Sequence, residues 1–440
     1  MSKRIRSWLF IIFILLFVIG TILVSLYASG YKINFNWPPQ FNRLLIKTGM
    51  VIIDSHPEGA IVYLDDEPQA IFSLNPWSDE YITTAAKVRN VPPGEYMIRL
   101  EREGYWPWEK KISVYPNQAT TLIDINLFRS DTPEMVIAAP EGELSLSPAG
   151  RYLYVGGGRK IVALRTGRET TLSPGNGGRW RQDTEELLSG SRLYAPGQDK
   201  ITDYQPLIGT GTTNFYDDQN DRLYYSKDTA IGYLNTSGQA ASLALSDEDI
   251  LAFLPRADTV WVLTSDLGRA ILKRYPLPAG PAVPELELPG IGHYEFRAES
   301  GPRLTLYDSL NKTLYIINPD NPAVSPLIVR DILSWEWVND NTLLYNNSWE
   351  IFRLDVPSGL TSLLTRVGEE IREISWNAKR NYLIFSTVDS LQAYDPRLET
   401  ITKIFRAKKI LSPVLDTDDN VLYFWAEIGE QSGAYRLSLQ

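Results

Sequence analysis

Asp416-Thr417-Asp418-Asp419-Asn420 has the Asp-x-Asp-x-Asn spacing that gathers oxygens around a calcium ion, and Glu427 stands twelfth. The sixth position, where such a loop turns on glycine, is Val421, and Val421–Trp425 reads as a strand. Asp217-Asp218-Gln219-Asn220-Asp221 occupies a corresponding turn, so both runs are expected to be side-chain-stabilised turns between strands. The two histidines, His56 and His293, fall in different parts of the chain. One per domain is too few for a His-rich metal site or a Ser–His–Asp relay. Gly156-Gly157-Gly158 and Gly175-Asn176-Gly177-Gly178 lack the Lys-Ser/Thr that completes a phosphate loop and are expected to be turns. Glu369-Glu370 and Glu185-Glu186 have the chemistry of a glycosidase acid pair, which only their spatial separation decides. Trp335, Trp337 and Trp349 are the candidate partner- or glycan-binding residues, because indole faces stack on sugar rings and with Trp376 they cluster in adjacent units; two or three of the four are expected to fill the core between sheets instead. No catalytic constellation, metal set or cofactor motif emerges.

The bulk numbers narrow the classes. With 440 residues, 44% of them hydrophobic, the chain has material for two or three cored domains, and 11% aromatic content suits sheets. A formal charge of −10 without a basic stripe argues against nucleic acid as a partner. Zero cysteines remove disulfides, thiolate nucleophiles and cysteine-held metals together.

Trp8–Tyr27, WLFIIFILLFVIGTILVSLY, is twenty residues without a charge, the length of a bilayer-spanning helix, with an aromatic at each end. Lys3, Arg4 and Arg6 precede it, which predicts a cytoplasmic N-terminus and everything after Tyr27 outside. A cleaved signal peptide is the rival; the apolar run is long for one, and Leu26-Tyr27-Ala28 is a poor cleavage site. The expected organisation is a cytoplasmic tail over 1–7, an anchor in the bilayer over 8–28 and a linker over 29–48 carrying Trp37-Pro38-Pro39 and Phe41. A β-sandwich over 49–128 and a propeller over 132–440 follow.

In the sandwich region strands are expected at Met50–Ile53, Ile61–Leu64, Tyr96–Leu100, Lys111–Val114 and Thr120–Leu127, with turns at Pro57–Gly59 and Pro93-Gly94. Ser55-His56-Pro57-Glu58-Gly59-Ala60, Val62-Tyr63-Leu64-Asp65, Pro93-Gly94-Glu95-Tyr96 and Glu103-Gly104-Tyr105 together resemble a PEGA domain, a family named for the tetrapeptide at Pro57–Ala60. The long Gln69–Lys87 stretch departs from that pattern. The resemblance implies a small surface-type β-sandwich serving as an extracellular interaction module, without catalysis.

From Thr132 a four-strand unit recurs. Leu153, Leu187, Leu223, Val260, Leu304, Leu343, Leu383 and Val421 each begin the apolar run of a second strand, 34 to 44 residues apart, and each follows a polar turn. Large residues such as Trp180, Phe215, Phe253, Phe296 and Trp376 stand in the preceding strands. That is the signature of propeller blades, eight favoured and seven possible, since 200–207 is weakly patterned. The last unit lacks a fourth strand, which Met135–Ala139 is expected to supply, closing the ring. Leu146-Ser147-Pro148-Ala149-Gly150-Arg151 resembles the Ser-Pro-Asp-Gly-Lys turn of WD40-like propellers of the periplasmic Tol type, with Ala149 in place of the Asp.

The expected function is non-catalytic binding or scaffolding at the bacterial cell envelope, with an envelope protein or surface glycan as partner. The alternative is an enzyme acting on envelope polysaccharide through carboxylates in the propeller funnel. A signal receptor is a third class, needing a separate output partner because about seven residues precede the apolar run.

Overall fold

Repeated apolar second strands, each entered through a polar turn, fold as antiparallel meanders, because neighbouring sheets must cover both faces of the inner strands. The computed structural model describes residues 3–33, 45–70, 80–173 and 177–440, apart from 182–183, 210–212, 218–221, 228–229, 235–239, 244–248, 257–258, 278–282, 290–291, 298–300, 322–323 and 419. The chain divides into two compact units that meet in sequence between Asp131 and Thr132.

Among the described residues, the strands from Glu134 to Ser438 form eight four-stranded antiparallel sheets, the blades of a β-propeller. Blades 1 to 7 are continuous in sequence, over 144–171, 179–203, 213–243, 249–288, 294–329, 334–366 and 373–406; the eighth is Lys409–Asp416, Val421–Ile428 and Gln431–Ser438 completed by Glu134–Ala138. Closure thus occurs where the sequence predicts it. Glu134 pairs with Arg436 and Ala138 with Gly433 in the ladder. Gly433 is required there, since a Cβ at that position would lie 2.3 Å from the Ile137 carbonyl oxygen. The buried Trp425 Nε1 donates to the Ala139 carbonyl at 3.0 Å, fastening the splice from the core side.

Blade 6 is wettest at its outer edge. In blade 6 (Ser334–Arg366), Thr342–Asn346 is buried throughout, whereas the outer strand Leu360–Arg366 is mostly exposed. Apolar clusters occupy successive blade interfaces. Leu187 and Tyr154 join blades 1 and 2, Phe296 and Trp261 join blades 4 and 5, and Leu343 and Leu314 join blades 5 and 6. Blades 7 and 8 meet through Phe405 and Phe424, whose ring centroids are 5.7 Å apart. Blade 2, weakly patterned at 200–207, has its fourth strand at Lys200–Asp203, followed by one helical turn at Gln205–Ile208. Phe215 lies in a strand whose side chains are outside the described residues.

The first unit contains the helix Lys3–Ala28 and a β-sandwich. One sheet has the order Ala86–Val91, Gly49–His56, Ala119–Asn126; the other runs Glu67–Pro68, Ile61–Leu64, Gly94–Glu101, Trp108–Val114. Strict alternation in Gly49–His56 sends Val51, Ile53 and Ser55 into the core and Ile52, Asp54 and His56 to the other face. Val62, Ile98, Leu100, Leu122 and Ile125 complete that core. Where an extended linker is expected, Tyr31–Ile33 and Leu45–Lys47 instead pair as a short antiparallel ladder. Thr48 Oγ1 donates to the Gly30 carbonyl at its end. Their backbone groups thereby find partners in each other rather than in water. Trp37 and Phe41 lie outside the described residues. Arg6–Ala28, with a mean hydropathy of 3.1, is long and apolar enough to cross a membrane, at about 34 Å.

Candidate functional site

The first strands of the blades line the central channel of a propeller, and here their polar groups divide into two sets. One set bonds blade to blade. Ile374 N–H donates to Ser334 Oγ at 3.0 Å, Ser375 Oγ to the Pro413 carbonyl at 3.0 Å, and Leu144 N–H to Ser412 Oγ at 2.9 Å. Trp180 Nε1 donates to the Ser145 carbonyl at 3.2 Å. Ser412 N–H donates to Glu373 Oε1 at 3.2 Å, and burial pushes the Glu373 carboxyl pKa up, opposed by that hydrogen bond and by Arg372. These bonds stitch blades 6, 7, 8, 1 and 2 at their inner edge.

The second set faces water. In Tyr294–Arg297 of blade 5, Tyr294 and Phe296 are buried against blade 4 while Glu295 and Arg297 are exposed on the opposite face. Arg297 Nη2 pairs with Glu295 Oε1 at 2.7 Å, and its guanidinium carbon lies 5.6 Å from the Trp335 ring centroid. Trp335 in turn packs on Tyr307, centroids 5.1 Å apart. Arg179, on the first strand of blade 2, is accessible to water yet ringed by protein. That desolvation lowers its pKa first, Arg297 lowers it further, and Glu295 opposes both. Blades 2 and 5 are not neighbours, so these fields act across the channel. Arg179, Glu295, Arg297 and Trp335 therefore form the candidate site, a charged channel wall with one aromatic face. Sequence reasoning missed the three charged residues. Their signal was a charge alternating with aromatics inside a first strand, as in Tyr294-Glu295-Phe296-Arg297.

The tryptophans expected to form a platform occupy different environments. Trp335 and Trp337 share one face of Ser334–Asn339 and pack, half-buried, against the cluster between blades 5 and 6. Trp376 packs likewise between blades 6 and 7. Trp349, in the turn after the second strand of blade 6, is 47% exposed. Trp337 and Trp376 thus sit in the core between blades, whereas Trp335 touches both core and channel cluster and Trp349 stands exposed on its turn.

The carboxylate pairs serve structural bonds. Glu369 Oε2 accepts from Ser390 Oγ and Gln392 Nε2, both at 3.1 Å, and Glu370 pairs with Arg372 at 3.5 Å. Glu185 accepts the Ala149 N–H at 2.8 Å, and Glu186 pairs with Arg181. Asp416 Oδ1 accepts the Asp418 N–H at 3.0 Å, the geometry of a side-chain-stabilised turn, while Asp419 lies outside the described residues. His293 is exposed, and its N–H donates to Asp308 Oδ1 at 3.0 Å. Gly175 and Asn176 of the second glycine run, and Asp218–Asp221 of the other acidic turn, lie outside the described residues.

Residues 78–130 match the PEGA domain. The matched segment holds Pro93–Tyr96 and Glu103–Tyr105; the tetrapeptide Pro57–Ala60 precedes it. The ladder unites the two parts, because Gly49–His56 pairs with both Ala86–Val91 and Ala119–Asn126. No curated protein matches the chain. Among solved structures, a eukaryotic initiation factor is similar at 10% identity and TM-score 0.47 over 71% of this chain and 88% of its own. Oligogalacturonate lyase from Vibrio parahaemolyticus is similar at 8% identity and TM-score 0.41 over 69% and 90%. Virginiamycin B lyase from Staphylococcus aureus is similar at 12% identity and TM-score 0.39 over 70% and 99%. Similarity at this level is silent on activity. The chain carries a PEGA domain and a β-propeller.

Proposed function

We propose that this is a membrane-anchored, extracytoplasmic binding and scaffolding protein of the bacterial cell envelope, non-catalytic, with the propeller as its interaction platform. The carrying observation is the division of first-strand polar groups. One set fixes blade to blade, and Arg179, Glu295, Arg297 and Trp335 make a charged wall with one aromatic face. A rigid ring presenting such a wall suits recognition of an envelope protein or surface glycan by ion pairing and stacking. The apolar Arg6–Ala28 supports attachment to the lipid bilayer, and Lys3, Arg4 and Arg6 support a cytoplasmic N-terminus. The net charge of −10 supports excluding nucleic acid from the partners.

The test is a pull-down with the detergent-solubilised full chain against envelope material separated into glycan and protein fractions. Retention without turnover is expected. Trp349→Ala, at an exposed turn, is expected to leave stability within about 0.5 kcal/mol while weakening retention, and Arg297→Ala to weaken it further. Retention unchanged in both variants removes the channel and rim from the reading.

A second reading, an enzyme acting on envelope polysaccharide, draws on Glu373, whose raised pKa suits a general acid. It requires a second carboxylate about 5–10 Å away. Release of soluble sugar in the same pull-down, abolished by Glu373→Gln, would establish it.

A further inference from the structure

The face of the sandwich turned away from its core carries Asp54, His56 and Asp124, and one ligand atom from each lies within 4.8 Å of the others. Two features of the chain bring them together. In the strand Gly49–His56 the period of two puts Asp54 and His56 side by side on the same face. In the neighbouring parallel strand Ala119–Asn126, Ile53 is opposite Leu122 but Ser55 is opposite Ile125, so one extra residue is inserted. That bulge leaves both Ile123 and Asp124 on the outer side, and so sets Asp124 beside the Asp54–His56 pair.

We infer that Asp54, His56 and Asp124 form a binding site for a divalent first-row transition metal, zinc being the reference ion. Three properties support this. His56 Nε2 and Asp124 Oδ1 are 3.5 Å apart, and two donors at zinc bond lengths of about 2.0–2.2 Å in tetrahedral geometry stand about 3.4 Å apart. Two carboxylates with one neutral imidazole carry a charge of −2, which cancels that of the ion. Imidazole with carboxylate is a donor set suited to zinc, nickel or iron rather than to magnesium or calcium, which take oxygen alone. The third property is independent of the clustering. Asp54 is half-buried, and its Oδ1, shielded from water, has no hydrogen-bond partner among the described residues, a costly state for a carboxylate oxygen that coordination would relieve. Three protein donors leave at least one coordination position open to water or to a donor from a bound partner.

The experiment uses the full chain in detergent, with any affinity tag removed and metals stripped by chelation, then dialysed against zinc chloride. The expected result is one equivalent of zinc per chain, with affinity reduced roughly tenfold or more by each of Asp54→Asn, His56→Ala and Asp124→Asn. His56 and Asp124 side chains are 42% and 65% exposed, so these two variants are expected to fold, which thermal unfolding without metal checks. Two further readouts separate ligation from a general effect. Zinc should raise the unfolding temperature of the wild type and not of the His56→Ala variant. Cobalt chloride should produce a visible absorption band in the wild type that both His56→Ala and Asp124→Asn remove. Zinc binding of equal stoichiometry and affinity in all three variants overturns the assignment, as does absence of binding to a folded wild-type chain.

Discussion

Glu373 shows how one side chain carries both a structural and a chemical possibility. Its carboxyl pKa is pushed up by burial, and its Oε1 accepts the Ser412 N–H between blades 7 and 8. A carboxyl with a higher pKa folded than unfolded binds more protons in the folded state across the interval between the two values. Stability therefore falls as pH rises through that interval, and the ionised group is a net cost at neutral pH. Glu373→Gln keeps an acceptor for Ser412 and removes the charge, so its unfolding temperature is expected to exceed the wild type's at pH 7. The gap should close below the unfolded carboxyl value of about 4.3. Glu373→Ala leaves the part-buried Ser412 N–H without its acceptor and is expected to cost about 1 kcal/mol. Thermal melts of the three proteins at pH 7 and pH 4 check both statements, and a Gln variant equally stabilised at the two values would remove charge burial as the cause. At this scale the sequence was only partly legible. Trp337 and Trp376 stood in first strands and so pointed to the core, whereas the cross-channel field on Arg179 depends on ring closure between blades that are distant in the chain.

Single elements explain where the ring is most vulnerable. Glu134–Ala138 is held by the Gln431–Ser438 strand, the ladder passing a bulge between Met135 and Ile137. Gly433→Ala puts a methyl carbon against the Ile137 carbonyl oxygen, so the strand must shift or detach. The expected cost is about 1–3 kcal/mol or more, with faster proteolysis at the segment entering blade 1. Arg436→Ala, which removes an exposed pair with Glu134 in the same ladder, is expected to change stability by no more than about 1 kcal/mol. Urea melts with limited proteolysis distinguish the two; equal effects would mean the surface pair, rather than backbone approach, holds the splice. Blade strands were legible in the sequence because each second strand is apolar on both faces and each turn is polar: Tyr382–Ser386 is buried throughout and lies where its pattern put it. The bulge beside Asp124 was not legible, since it arises from the register of two strands separated by more than sixty residues. Polar turns were readable as turns for a local reason: Asp308, Asn377 and Asp395 each accept backbone N–H groups a few residues on.

The whole chain combines an apolar helix, a sandwich and a closed propeller, and the helix decides where the other two work. Trp8, Phe10, Phe13 and Phe17 are 67–75% exposed on different sides of the helix, a surface that water would penalise and hydrocarbon would cover. Burying such a surface at about 25 cal/mol per Å² far exceeds what a single acyl chain supplies, so attachment is expected to survive an alkaline carbonate wash of membranes. Removal of residues 1–28 should release the protein into the soluble fraction with its folded units intact. An apolar helix near the N-terminus also suits a signal sequence, and N-terminal analysis of the mature protein separates the two: a chain that begins upstream of Trp8 is an anchor, and one that begins after Ala28 has been cleaved. Orientation is a second, independent outcome, because Lys3, Arg4 and Arg6 favour retention of their end in the cytoplasm. Protease added outside intact spheroplasts should degrade the propeller and leave a short N-terminal epitope protected. Protection of the propeller instead would place the charged channel on the cytoplasmic side and exclude surface glycan as its partner.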